Sequence, residues 1–200
     1  MIDTEYIISR LSLKNRPLNI FLYGSVVYGT YIRGKSDIDV ICITDERTGQ
    51  YSDNMMDVTF YSPAEFQERL NIHEINALEC FFLPPTLKLI DEHEYIFKLD
   101  LSLLRHSISQ KSSNSFVKAK KKLTIEKDYD LRIGLKSLFH SIRLLMFGKQ
   151  IAKHGYIIDY SEANTLYYDI MSISDWEEAF SRYKAVYNKY SSEFRLTAPK

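Results

Sequence analysis

Two hundred residues, 45% of them hydrophobic, suffice for one compact domain or two small lobes and exclude a disordered chain. No apolar run approaches the roughly 18 residues that a membrane-crossing helix needs, and the opening Met-Ile-Asp-Thr-Glu-Tyr lacks the order of a secretion signal, so a cytoplasmic protein without membrane attachment is expected. The zero net charge conceals a division: nine basic against sixteen acidic residues give −7 over 1–104, twelve against three give +9 over 105–153, and five against seven give −2 over 154–200. A polyanion is drawn to the middle block.

In chain order, Thr4 to Leu13 reads as an opening helix and the apolar stretch Leu18 to Tyr23 as a buried strand. Gly24 permits a sharp turn into a short helix over Val26 to Ile32, whose first N–H groups are left to attract phosphate. Ser36 then precedes Asp37-Ile38-Asp39, at the head of a strand running from Ile38 to Ile43. The period-two pleat aims Asp37 and Asp39 at one face and Ile38 and Val40 at the other. Two carboxylates on one side bind hard divalent cations, and two such ions about 3.5 to 4 Å apart stabilise both the attacking and the leaving oxygens of a phosphoryl displacement. A third carboxylate completes such a site. Met55 to Tyr61 reads as a further strand beyond a polar turn region over Thr44 to Asn54, and it carries Asp57, which is not expected to face a core alone because a lone buried carboxylate costs several kcal/mol or more. Asp57 is therefore expected beside Asp37 and Asp39 as catalytic residue and metal ligand.

Gly24-Ser25, Asp37-x-Asp39 and Asp57 on a neighbouring strand resemble the polymerase β nucleotidyltransferase superfamily over residues 18–62, and Ser36 and Tyr28-Gly29-Thr30 fit its small prokaryotic and viral members. The resemblance implies an α+β catalytic core with a small mixed sheet, two Mg2+ ions (Mn2+ as the alternative) on Asp37, Asp39 and Asp57, and a nucleoside triphosphate bound at Gly24, Ser25 and Ser36. It implies transfer of a nucleoside monophosphate to an acceptor hydroxyl with release of pyrophosphate.

Farther on, Ser62-Pro63-Ala64-Glu65 has the N-cap, first-turn proline and N3 glutamate of a helix start, with that helix ending near Leu70. A second helix over Ile72 to Leu83 is stopped by Pro84-Pro85, and Thr86 to Ile90 adds a strand. Leu101 to Ser109 is helical, and polar Gln110 to Ser115 is the expected linker, dividing a catalytic domain over 1–110 from a helical C-terminal domain over 111–200. Phe116 to Lys127 and Asp130 to Phe147 follow as helices, the second stopped at Gly148. Gly134 to Leu145 is similar to a helix of predicted nucleotidyltransferases associated with RNA repair, which with the basic block implies an RNA acceptor such as tRNA; superfamily members also modify proteins or small molecules.

Lys136, His140 and Arg143 share one face of that helix. The functional reading has Lys118, Lys121, Lys136 and Arg143 meeting the triphosphate or an acceptor phosphate; the alternative is a solvated surface. Cys42 and Cys80 lack a second metal-ligand pair and read as reduced core residues, and His73, His93, His106 and His154 have no ligand spacing. Two readings compete with the transferase: a nucleotide sensor or antitoxin-like module, which retention of all three carboxylates opposes, and an RNA-cleaving helical lobe, for which His140 lacks a suitably spaced arginine.

Overall fold

The computed structural model describes residues 4–199; the first three residues of the N-terminal reading, and Lys200, lie outside them. The chain divides into two units, Met1–Lys98 and Leu99–Lys200.

The first unit is a mixed α+β layer. Helix α1 (Thr4–Leu11) precedes β1 (Asn19–Tyr23), and a single turn, α2 (Ser25–Tyr28), precedes β2 (Ile38–Ile43). Then come β3 (Gly49–Ser52), β4 (Met56–Tyr61), α3 (Pro63–Asn71), α4 (Ile75–Phe81) and β5 (Lys88–Asp91). The sheet order is β3-β4-β2-β1-β5, with β2 and β4 parallel and the other neighbours antiparallel. On one face Ile20, Leu22, Val40, Val58 and Phe60 bury themselves against Ile7 and Leu11 of α1. On the other, Phe21 packs on Phe66 of α3, with ring centroids 5.7 Å apart. Cover on both sides explains why β2 is apolar at all positions but Asp39. The capping box at Ser62 and Glu65 forms as its spacing predicts. Strand β3 lies inside the stretch expected to be a turn region. As a short edge strand with mostly exposed residues it needs no apolar alternation to form, so its sequence carries no strand signal.

The second unit is helical: α5 (Leu101–Thr124), α6 (Leu131–His154), α7 (Asn164–Met171) and α8 (Trp176–Thr197). Its core joins Leu123, Leu138, Phe139, Ile142, Ile170 and Trp176. Two expectations fail here for physical reasons. The polar stretch 110–115 is not a linker but the middle of α5, where Ser112 is buried and donates a hydrogen bond of 2.8 Å to the Ser141 carbonyl of α6; the division falls at 98/99, not 110/111. Nor does Gly148 end its helix, since α6 runs on to His154 and closes at Gly155, whose left-handed φ of 86° supplies the C-cap. Gly148 is instead a packing residue: an added Cβ would lie 2.9 Å from both Ile108 of α5 and the Phe194 ring of α8. Among the described residues no helix is long and apolar enough to cross a membrane.

Candidate active site

The strand registers pair Ser52 with Asp57, Asp57 with Asp39, and Asp39 with Tyr23, so one row of side chains crosses four strands on the same face. Asp39 and Asp57 therefore stand side by side on adjacent strands, as the strand pattern predicts. Ser52 Oγ donates a short hydrogen bond to Asp57 Oδ1, which fixes that carboxylate. At the far end of the row, burial and then the charge of Asp39 push the Tyr23 phenol up, keeping it protonated at neutral pH. Asp37 lies just before β2, exposed, one pleat from Asp39.

The glycine-serine turn is built against this row. Gly24 has φ 68° and ψ −144°, and an added Cβ would sit 2.0 Å from Asp39 Oδ2. Only glycine lets the backbone come so close to the carboxylate. The helix expected over Val26 to Ile32 is a single turn, because Gly29 takes the left-handed conformation at φ 75° and ends it, with Thr30 N–H returning to the Ser25 carbonyl at 3.0 Å. Ser25 Oγ is buried and makes no hydrogen bond among the described residues. Such an orphan costs about 1–3 kcal/mol, which a ligand oxygen would recover. Ser36 uses its hydroxyl within the loop, accepting from Ile32 N–H at 3.1 Å and so setting the approach to Asp37.

Glu79 escapes a reading by sequence pattern. It is the lone acid in the apolar α4, 1% exposed, and it accepts a short hydrogen bond from Tyr28 Oη at the end of α2. The only available signal is a glutamate among apolar neighbours, and nothing local names its partner. The bond ties the glycine-serine turn to α4. Tyr28→Phe is expected to lower stability by about 1–3 kcal/mol, because the buried carboxylate loses one donor, and a second change, Glu79→Gln, should restore part of it. Urea unfolding of the wild type and the two variants checks this; an unchanged midpoint for Tyr28→Phe would remove the tether.

The donor set suits a hard cation. Mg2+ and Mn2+ take carboxylate oxygens, and Mg2+ commonly binds one or two of them and fills its shell with substrate phosphate and water. Asp39, Asp57 and the orphaned Ser25 hydroxyl fit that pattern. Among the described residues no group of three His, Cys, Asp or Glu gathers round one point, so the paired rung, not a closed triad, is what the fold prepares.

Lys118, Lys121, Lys136 and Arg143 all belong to the second unit. The three lysines are exposed, on α5 and α6. Arg143, expected on the same polar face as Lys136, is buried at 8% exposure, with its guanidinium 5.3 Å from the Phe139 ring centroid and Nη2 2.7 Å from His140 Nδ1. A planar, weakly hydrated guanidinium stacks on aromatic rings where an ammonium would stay in water, which is why helical spacing misjudges this face. Burial, then Arg143, Lys111 and Lys118, hold the His140 imidazole well below its ordinary range, so it is neutral at pH 7. The sign follows from linkage. Folded His140 binds a proton less readily than the unfolded chain, so its share of stability is complete above about pH 6.5 and declines below it, by at most about 1.4 kcal/mol per pH unit. The carboxylates held low, Glu46, Asp53, Asp169, Glu178 and Glu193, act only in the carboxylate range below. Denaturant midpoints between pH 7 and 5 should therefore slope in the wild type and flatten in His140→Leu; equal slopes would contradict the assignment.

Residues 5–129 match the family model of the nucleotidyltransferase domain, a stretch that takes in the sheet, the carboxylate row and all of α5. No curated protein and no solved structure matches the chain. With that match and the row Asp39–Asp57 against a glycine-serine turn, the chain belongs to the nucleotidyltransferase domain family of the polymerase β-like superfamily, and is a transferase of the nucleotidyltransferase class.

Proposed function

We propose that the protein transfers a nucleoside monophosphate from a nucleoside triphosphate to a hydroxyl of RNA, a tRNA end being the type of acceptor in view, and releases pyrophosphate. The observation that carries this is the Asp39–Asp57 rung set against Gly24 and the orphaned Ser25 hydroxyl. Backbone N–H groups of the turn and Ser25 Oγ would hold the β and γ phosphates, with Ser36 keeping Asp37 in place. Ser52 occupies Asp57 Oδ1, which leaves Oδ2 to take the proton of the acceptor hydroxyl. The new acceptor O–P bond forms as the bond from the α-phosphorus to the pyrophosphate oxygen breaks, and the expelled pyrophosphate carries away the negative charge. Asp39 and Asp57 would hold a divalent cation, Mg2+ or Mn2+, with Asp37 joining from the head of β2 once the ion is bound, and the cation would supply neutralisation of the phosphate charge during transfer.

The acceptor class rests on charge. Helix α5 contains no acidic residue, and residues 105–153 carry +9. Lys118, Lys121 and Lys136 are exposed there to meet phosphate oxygens, whereas Arg143 would act from a buried position. Incubation with each α-labelled triphosphate and total cellular extract tests the reading. Label in RNA is the expected result; label in protein or in small molecules would move the acceptor to that class.

A further inference from the structure

The second unit holds a cleft of about 510 Å³ between α5 and α8, floored by Leu145 of α6. Apart from that leucine its lining is polar: four serines, an asparagine, Tyr187, and two cations, Lys184 and Arg195, with no carboxylate. Two features make it more than a solvated groove. First, Glu178 and Glu193 of α8 are already engaged, by Arg182 at 2.8 Å and by Lys149 at 2.6 Å, and Glu177 does not line the cleft, whereas Lys184 and Arg195 have no carboxylate partner among the described residues. Second, Lys184 is held in place by aromatic faces, its Nζ lying 4.8 Å from the Phe116 centroid and 5.4 Å from that of Tyr187. A cation fixed in this way is partly prepaid for binding an anion.

The α5 wall continues the pattern. Ser109, Ser113, Phe116 and Lys120 recur at helical spacing along one stripe, so hydroxyl donors, an aromatic ring and a further exposed cation follow one another beside the row Lys184, Tyr187, Arg195 of α8. Spaced cations and hydroxyls meet a chain of phosphates and sugars better than they meet a single small anion.

We propose that the α5–α8 cleft is a binding track for the sugar–phosphate backbone of a single-stranded nucleic acid. This rests on the reading of the acceptor as RNA and adds where the second unit holds it. It also adds to the charge division: Lys184 and Arg195 fall in the segment 154–200, whose net of −2 does not show them.

The test is fluorescence anisotropy of the full chain with a short labelled oligouridylate across a salt series. Wild type should bind at low salt. The pair K184E/R195E should weaken binding about tenfold or more and, with two phosphate contacts gone, flatten the slope of log affinity against log salt by about 1.4. K127E/K153E, the same change of net charge at exposed lysines outside the cleft, should weaken it far less. Because Lys184 also packs on Phe116, S113E, at an exposed position on the opposite wall, gives a second route to the same loss. Equal losses in the cleft and control pairs, or S113E binding like wild type, would overturn the cleft while leaving the RNA acceptor standing. No binding by wild type at low salt would overturn both, and displacement by poly-glutamate as effective as by unlabelled oligouridylate would reduce the cleft to a general polyanion surface and end the proposal.

Discussion

Asp39→Asn is expected to abolish pyrophosphate release, by about 100-fold or more, while leaving the protein folded and no less stable than wild type in the absence of divalent cation. The stability half of this is the more diagnostic. Asp39 and Asp57 are register partners on adjacent strands, and like charges at such positions repel, at a cost of up to about 1 kcal/mol. Asparagine keeps the shape of the side chain and removes that repulsion, so a thermal scan without metal should show an equal or higher midpoint. Added Mg2+ should then raise the wild-type midpoint, because a ligand that binds only the folded state stabilises it, and should raise the variant's far less. A purely structural Asp39 would give the opposite result, loss of stability with no change in the response to Mg2+. Undiminished turnover would remove the carboxylate row from the chemistry.

That row was legible in the chain because each part of it has a local cause. Strand alternation places Asp39 opposite Val40, the glycine marks the turn, and a carboxylate in a β-prone run has few tolerable environments, so Asp57 had to find polar company. What depends on distant partners was not legible. Glu79 meets Tyr28 across 51 residues of sequence, and no spacing rule joins an apolar helix to the end of a one-turn helix. The six residues 110–115 look like a linker by composition, yet a polar residue can stay helical in a core if its hydroxyl finds a carbonyl, as Ser112 does on Ser141. Gly148 shows the same limit from the other side. Glycine reads as a helix stop, but tight packing of three helices can demand its missing side chain in mid-helix. Local chemistry thus marks which residues make up the carboxylate row and its turn, and tertiary packing decides what holds them and where the units divide.

The contact between Gly24 and Asp39 gives the second large effect, and it separates backbone strain from site geometry by comparing two glycines. Gly24 and Gly34 both have positive φ, 68° and 76°, so alanine at either position pays for an unfavourable backbone, of order 1–3 kcal/mol. Their surroundings differ. Nothing lies within 4 Å of a Cβ at Gly34, whereas at Gly24 the new methyl would lie 2.0 Å from Asp39 Oδ2 and 2.7 Å from its Cγ. Those atoms belong to a short side chain held on a strand, so relief requires the carboxylate to rotate away from the turn or the turn to lift off the row, and either separates the glycine-serine turn from the acid beside it. A displacement of about 1 Å at a catalytic group is enough to cost on the order of 100-fold in rate. Gly34→Ala should therefore lose stability with turnover near wild type, and Gly24→Ala should lose both, with kcat down by about 100-fold. Denaturant midpoints and steady-state pyrophosphate release on the two variants read the two quantities separately. Similar turnover in both would mean that the closeness of Gly24 to Asp39 serves only the packing of β1 and β2, and that the turn and the carboxylates do not work as one site.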